Sequence, residues 1–212
     1  MTDAEIEPFF ATLAAANPHP RSELVYTSPF ELLAAVLLSA QATDASVNKA
    51  TVSLFARAPT PQAMLELGLD ALTDAIRSIG LYRTKARHLM ETCRLLVERH
   101  AGEVPRAREA LESLPGVGRK TANGVLNVAF GEPTIAVDTH VFRVSNRTGL
   151  APGTSPEQVE QVLLERVAQR WRAHAHHWLI LHGRYVCTAR SPHCAECAVR
   201  AWCDQGRHLQ SC

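Results

Sequence analysis

The chain has 212 residues, of which 46% are hydrophobic and 20% are charged, and its formal net charge is +1. This length suits one large domain or two small ones, and the apolar fraction is too high for a disordered protein. The longest strictly apolar run, Leu32 to Leu38, is too short to cross a bilayer, and the acidic N-terminus lacks the basic segment of a secretory signal. We therefore expect a soluble cytoplasmic protein.

The charges are distributed unevenly along the chain. Residues 1–80 contain 4 basic and 9 acidic residues, whereas residues 81–212 contain 18 basic and 12 acidic residues. Such asymmetry is typical of a one-sided basic surface that binds nucleic acid, although it also arises by chance. Arginine is the usual cation here, because the 22 basic residues include only three lysines: Lys49, Lys85 and Lys120.

The predicted elements are helical nearly throughout. Ser28-Pro29 and Thr60-Pro61 each combine an N-cap residue with proline at the first helical position. In chain order, we predict FELLAAVLLSA after Ser28-Pro29, a helix capped by Thr43 or Asp44, one from Thr60-Pro61 to Gly68, residues 84–100, a segment after Pro105 holding Leu111 and Leu114, RKTANGVLNVAF up to Gly131, a helix from Asp138 to Gly149, and residues 156–170 and 172–183.

No segment shows convincing strand alternation, and residues 133–137 form only one short apolar run. The sequence therefore predicts an all-α fold. Pro133 and residues 152–156 are candidate linkers. The six or seven helices predicted before Pro133 are enough for a self-contained bundle.

The C-terminal segment is rich in cysteine. Four thiolates within seventeen residues of a chain without a secretory signal form a metal site more often than a disulfide framework. Zinc and an iron–sulfur cluster both remain possible, and the unequal spacing favours the cluster. Cys93 on an apolar helix face and the terminal Cys212 are expected bystanders. The candidate ligands are Cys187, Cys194, Cys197 and Cys203.

A short turn, LPGVG at residues 114–118, joins two predicted helices. We expect Gly116 and Gly118 to adopt backbone conformations that a side chain would forbid. Amides of the turn and of the following helix would form an anion site suited to a DNA phosphate, with Arg119 adding charge. The alternative is an ordinary helix–helix turn with a glycine C-cap.

Lys120 follows the turn in the first turn of the next helix. The positive end of the helix dipole disfavours an ammonium there, and partial burial would favour the neutral amine further. A neutral amine can attack an aldehyde-like carbon to form a Schiff base, which arginine cannot do. The alternative is a surface lysine that contacts phosphate.

Asp138 directly precedes the predicted helix THVFRVSNRT. Its carboxylate could cap that helix, and the helix amides would keep it ionised. A carboxylate near a reactive lysine can also stabilise positive charge that develops on a sugar ring. A plain N-cap is the alternative.

Taken together, LPGVGRKTAN, IAVDTHVFRV and the HGRYVC segment with its three later cysteines resemble the endonuclease III family. SPFELLAAVLLSAQATDASVNKA resembles it as well, so the resemblance covers essentially the whole chain. The family consists of DNA glycosylase/AP lyases of base excision repair with a helix-hairpin-helix. The resemblance implies a six-helix bundle domain (22–132), a [4Fe–4S] cluster domain (1–21 with 133–212) and an active-site cleft between them.

The resemblance also implies roles for individual residues. Lys120 matches the family's Schiff-base lysine and Asp138 its catalytic aspartate. The four cysteines named above match the cluster ligands. The residues implied to contact DNA are Gln41, which fills the hole left by an extruded base, Leu81, which wedges into the opened stack, the hairpin residues Gly116, Gly118 and Arg119, and Arg190 of the cluster loop.

The implied reaction is removal of oxidised pyrimidines, such as thymine glycol, and cleavage 3′ to the abasic site by β-elimination. The implied partner is damaged double-stranded DNA, and the implied protein is a bacterial cytoplasmic monomer associated with the nucleoid. Two features depart from the family's usual pattern: Gly124 in the active-site helix, and a less basic loop at residues 188–193.

Two alternative functions remain open. An adenine-mismatch glycosylase of the same superfamily would lack a lysine at position 120 and would carry a long C-terminal recognition domain. A non-catalytic iron–sulfur DNA-binding protein would need neither Lys120 nor Asp138.

Overall fold

The computed structural model describes residues 1–208, so Cys212 lies outside the described residues. Within residues 1–208 the chain is helical and contains no strand, which confirms the all-α class. Short 3-10 turns lie at Cys194–Glu196 and Arg200–Trp202. The helices are α1 (Asp3–Ala16), α2 (Pro29–Ser39), α3 (Asp44–Arg57), α4 (Pro61–Leu67), α5 (Leu69–Ala75), α6 (Tyr82–His100), α7 (Arg108–Glu112), α8 (Arg119–Phe130), α9 (Thr139–Thr148), α10 (Pro156–Arg166), α11 (Gln169–Tyr185) and α12 (Asp204–His208).

The chain divides into two compact units. The bundle unit comprises residues 22–130 and contains α2 to α8. The cysteine unit comprises residues 1–21 together with the described residues from 131 onward, and it contains α1 and α9 to α12. The N-terminal helix therefore folds with the C-terminal part of the chain.

Local capping sets where several helices begin. The Ser28 and Thr60 side chains each accept a hydrogen bond from a backbone amide three residues on, at 3.2 Å. Proline occupies the next position in both cases, where its missing N–H costs nothing. Thr43 caps α3 in the same way, through the amide of Ser46. These helix starts were predicted from the sequence.

The core of the bundle unit is built around α2, whose apolar residues are buried almost all round. Leu33 and Leu38 of α2 and Leu89 and Leu96 of α6 are fully buried in one cluster. Burying a leucine side chain stabilises the fold by about 1.5–3 kcal/mol. The cluster fixes α2 and α6, the helices whose ends carry Gln41 and Leu81.

The cysteine unit has its own core, in which α1 packs with α11. Phe10 is fully buried and its ring centroid lies 6.2 Å from that of Trp178, whose indole N–H donates to the carbonyl of Asn17. Arg207 of α12 bonds to the carboxylate of Glu5 in α1. These contacts tie both ends of the described chain to one core.

The structure differs from the predicted elements in three helices and in the bounds of three others, since α6 begins at Tyr82 rather than residue 84 and α11 spans Gln169–Tyr185 rather than 172–183. Helices α1, α5 and α12 were not predicted individually, because their short apolar faces become informative only against their packing partners. The predicted helix over 156–170 ends at Arg166, since Val167 is extended at φ −78° and ψ 121°, and α11 begins at Gln169.

Candidate active site

The turn between α7 and α8 requires glycine at only one of its two glycine positions. Gly116 has φ 77°, and a Cβ there would lie 3.0 Å from His88 Nδ1 and 3.2 Å from a methyl carbon of Leu37. Gly118 has no positive φ, and nothing lies within 4 Å of a Cβ built on it. The expectation of a forbidden backbone is therefore right for Gly116 and wrong for Gly118.

Both glycines are exposed, so the backbone of the turn is open to a ligand. The amide of Val117 donates to the carbonyl of Leu114 at 3.1 Å, which closes the turn. Helix α8 begins at Arg119, and its first amides carry the positive end of a twelve-residue helix dipole. This combination can bind an anion such as a phosphate group.

Lys120 is the second residue of α8 and is exposed, as is Arg119 beside it. The partial burial considered for Lys120 from the sequence is therefore not seen. Its primary amine stands open to solvent directly after the turn. A group in this position can meet a substrate held by the turn.

Asp138 is the N-cap of α9. Its Oδ1 atom accepts hydrogen bonds from the amides of His140 and Val141, both at 2.8 Å. These two bonds cap the first turn of α9. One carboxylate oxygen is used for the cap, and the half-buried side chain leaves the other for chemistry.

Gln41 and Leu81 lie in the bundle unit at helix ends. Gln41 follows α2 and Leu81 is the N-cap of α6, and both have left-handed backbones, with φ 56° and 60°. Both side chains are exposed, and Leu81 keeps 63% of its surface accessible. An exposed leucine in a strained conformation gains nothing from burial, which points to a function.

The predicted site residues are divided between the two units. The bundle unit carries Lys120 with the hairpin residues and with Gln41 and Leu81. The cysteine unit carries Asp138, the four cysteines and Arg190, which is exposed.

All four candidate ligands, Cys187, Cys194, Cys197 and Cys203, line one cavity of about 330 Å³ including its open mouth. His182 lines it too, with its Nε2 atom 3.7 Å from the sulfur of Cys197. The amide of Gly206 donates to the sulfur of Cys203 at 3.2 Å. Burial raises the pKa of Cys197 and of Cys203, so thiolates here need a positive partner.

The cysteine cavity presents four sulfur donors, the ligand type that zinc and iron–sulfur clusters take. Within residues 1–208, no three His, Cys, Asp or Glu side chains are arranged to hold a single metal ion. A zinc ion needs its sulfur ligands at about 2.3 Å from one point. In a [4Fe–4S] cluster each iron takes its own cysteine, so four thiolates around one cavity fit such a cluster.

Two arginines of α9 were not predicted as part of the site. Arg143 donates to the carbonyls of Cys187 and Gly183, at 3.0 and 2.7 Å. Arg147 donates to the carbonyl of Thr188 at 2.6 Å and lies 3.6 Å from the sulfur of Cys187. The helix that Asp138 caps is thereby bonded to the first cysteine loop. Their sequence positions on a polar helix face gave no signal of this.

Comparison with known proteins identifies the family. A model of the HhH-GPD superfamily, described as base excision DNA repair proteins, matches residues 34–169. Endonuclease III of Escherichia coli K12 is 62% identical over 188 residues, which is 89% of each chain. Endonuclease III of Haemophilus influenzae is 60% identical over 192 residues, which is 91% of each chain. The chain belongs to the endonuclease III family.

Members of the endonuclease III family are DNA glycosylase/AP lyases of base excision repair, and the predicted family and enzyme class are confirmed. Two solved structures are also similar over 98% of this chain. A trapped endonuclease III–DNA covalent intermediate matches with a TM-score of 0.90 at 47% identity, and a non-covalent endonuclease III–DNA complex with 0.91 at 46%. No helix among residues 1–208 is long and apolar enough to cross a membrane.

Proposed function

We propose that this enzyme removes oxidised pyrimidines of the thymine glycol type from double-stranded DNA and cleaves the strand 3′ to the resulting abasic site. The observation that carries the proposal is the exposed amine of Lys120 directly after the hairpin turn. A relative that covers 98% of the chain has been trapped as a covalent intermediate with DNA, and such an intermediate needs a nucleophile. Lys120 supplies one.

The proposed reaction begins at the sugar of an extruded nucleotide. The lone pair of the Lys120 amine attacks C1′, and the bond to the base breaks with its electron pair leaving on the base. The Asp138 carboxylate stabilises the positive charge on the sugar and takes the proton that the amine releases. The ring then opens to an imine. Loss of a proton from C2′ expels the 3′ phosphate by β-elimination.

The proposed DNA contacts follow from exposure and backbone shape. The hairpin amides at Gly116 and Gly118, with Arg119, bind a phosphate. Leu81 enters the opened base stack, where an apolar wedge lowers the cost of unstacking. Gln41 fills the place of the extruded base. The exposed Arg190 of the cysteine unit contacts the DNA backbone.

We propose that the four cysteines hold a [4Fe–4S] cluster that orders the C-terminal segment. When bound, the cluster supplies four metal–thiolate bonds, and a short segment with little core of its own is ordered by them. On this view the bundle unit is the helix-hairpin-helix domain and the cysteine unit is the cluster domain. We further propose that the enzyme acts as a monomer on DNA in the bacterial cytoplasm.

Borohydride trapping tests the proposal, because borohydride reduces an imine to a stable amine. The wild-type enzyme should become covalently linked to a duplex that contains thymine glycol. Lys120→Ala and Lys120→Arg should give no adduct, and Lys120→Arg should still bind the duplex because it keeps the charge. A wild-type enzyme that gives no adduct contradicts the bifunctional mechanism.

Metal analysis tests the cluster separately. The enzyme purified without oxygen should contain about four irons and a similar amount of inorganic sulfide per chain. Zinc in place of iron would overturn the assignment. Exchange of Cys203 for serine should lower the iron content, whereas Cys93→Ser should leave it unchanged, because the buried Cys93 is not among the residues that line the cavity.

A further inference from the structure

Lys85 is a buried lysine in a chain that otherwise uses arginine for positive charge. Only 7% of its surface is accessible, whereas Lys49 and Lys120 are exposed. Burial lowers the pKa of Lys85. A buried ammonium is unfavourable unless it has a specific partner, so the position of Lys85 needs an explanation.

Its partner is the end of α2. The Nζ atom donates to the carbonyl oxygen of Leu38 at 2.9 Å in a buried contact. Leu38 is the next-to-last residue of α2, so its carbonyl is one of the four that lack a partner within the helix. A cation at this end also complements the helix dipole. No carboxylate among residues 1–208 pairs with Lys85, so this bond is its anchor.

The bond lies next to the strained residue Gln41. Beyond Leu38 the chain leaves the helix at Ala40 and turns through Gln41 at φ 56°, with the amide of Ala42 donating to the carbonyl of Ser39 at 2.9 Å. Lys85 therefore anchors the last turn of α2, directly before the turn that presents Gln41.

The other end of Lys85 lies at Leu81. Its backbone amide donates to the carbonyl of Leu81 at 3.1 Å, which forms the first hydrogen bond of α6. Any residue could make this main-chain bond, but only a long side chain with a donor at its end also reaches Leu38. Lys85 thus contacts the backbone that presents Leu81 and the backbone that presents Gln41.

We propose that Lys85 is a positioning residue that fixes the separation of Gln41 and Leu81, so that both side chains enter the duplex at the same extruded nucleotide. This inference rests on the proposed function of those two residues. Lys85 itself touches neither DNA nor the reacting atoms. Base extrusion needs both side chains in register, and a misplacement of about 1 Å can cost as much as about 100-fold in rate.

Lys85→Met tests the proposal, because methionine has a similar length and shape but no donor. The matched control is Lys49→Met, which changes an exposed lysine of α3. Base release is measured in single turnover on a duplex with thymine glycol. Borohydride trapping is measured on single-stranded DNA with a preformed abasic site, which needs no extrusion. We expect Lys85→Met to slow base release about 10-fold and to leave trapping unchanged.

A double-mutant cycle separates positioning from general damage. In a Gln41→Ala background, Lys85→Met should slow base release by less than about twofold, because the residue it positions is already gone. Independent effects, or equal losses on both substrates, overturn the proposal. So does base release at the wild-type rate in Lys85→Met. If that variant does not fold, Lys85→Gln replaces it in each assay.

The wild-type enzyme distinguishes this inference from the proposed function. If it traps on neither substrate, the Schiff-base mechanism fails whatever the Lys85 variants do. If it traps on both and Lys85→Met matches it, the mechanism holds and the positioning role of Lys85 is wrong.

Discussion

Gln41 and Leu81 share a backbone conformation that non-glycine residues rarely adopt, with φ 56° and 60°. Each residue in this region costs roughly 1–2 kcal/mol, and neither exposed side chain recovers that energy by burial. Both residues stand at helix ends of the bundle unit. Two exposed side chains are thus held on strained backbone at the ends of well-packed helices, an arrangement that suits insertion into a DNA stack.

Leu81→Gly should raise stability and lower activity. Glycine relieves the strain, so we expect thermal unfolding to occur at a higher temperature by an amount worth about 1 kcal/mol. Base release from duplex DNA should fall, because no wedge remains. The control is Ala101→Gly, since Ala101 has φ 52° at the other end of α6. It should gain stability with no change in base release, and loss of activity in both variants would contradict the wedge.

Alanine substitutions at the two hairpin glycines should affect different properties: stability at Gly116 and DNA binding at Gly118. Gly116→Ala should destabilise the fold by about 1–3 kcal/mol, because its φ is 77° and the new methyl group meets His88. Gly118→Ala should change stability little, because nothing lies within 4 Å of the added carbon. It should weaken DNA binding, because the methyl group would occupy the proposed phosphate site. Denaturant unfolding and binding at several salt concentrations measure the two effects. Equal binding by wild type and Gly118→Ala would remove the hairpin phosphate site.

Asp138→Asn and Asp138→Ala separate capping from chemistry. Asparagine retains an oxygen that accepts the amides of His140 and Val141, so stability should stay near wild type. Alanine loses the cap and should cost about 1 kcal/mol of unfolding free energy. Both variants should lose about 100-fold or more in single-turnover base release. Full activity in Asp138→Asn would show that Asp138 acts only as an N-cap.

His177 should make stability depend on pH in the acidic range. Burial, together with the neighbouring His176 and His174, lowers the pKa of His177 from 6.5 to about 4. Below pH 6.5 the His177 imidazole is therefore protonated in the unfolded chain, whereas in the folded chain it stays neutral down to about pH 4. The free energy of unfolding is therefore highest above pH 6.5 and falls as the pH approaches 4. The decrease between pH 7.5 and pH 5 is about 2 kcal/mol.

The variant His177→Phe isolates this effect. An apolar ring keeps the buried volume and removes the titration, and the Nδ1 atom of His177 has no hydrogen-bond partner within residues 1–208. Urea unfolding at pH 7.5 and pH 5 should show a smaller loss in the variant by about 2 kcal/mol. Parallel losses in the two proteins would mean that other groups carry the acid sensitivity.

Much of the candidate site is visible in the sequence, because its signals are local. The cap before Pro29, the glycine turn before Lys120 and the cysteine spacing each depend on residues within a few positions of one another. The roles of Gln41 and Leu81 came only from resemblance to a family, whereas those of Asp138 were also inferred from its place before α9; the DNA-contact and catalytic roles stay predictions. The family itself, the all-α class and the enzyme class are confirmed.

Other parts of the site could not be predicted in this way. Nothing near Lys85 in the sequence indicates that it is buried or that it bonds to Leu38, which lies 47 residues away. The bonds from Arg143 and Arg147 to the cysteine loop likewise join residues about 40 positions apart. Gly116 and Gly118 look equivalent in the motif, and only the structure distinguishes them, by the φ of 77° at Gly116 and its packing against His88 and Leu37.

The sequence by itself determined the helices that begin at strong caps, the candidate nucleophile at position 120 and the four candidate ligands, because propensity, capping and thiolate chemistry act over short distances. Tertiary structure decided which residues bear strain, which lysine is buried and which carbonyls the arginines reach. Those outcomes depend on burial and on contacts between distant segments, and neither exists until the chain is packed. The scarce lysines illustrate both, since Lys120 is marked by its motif and Lys85 only by its surroundings.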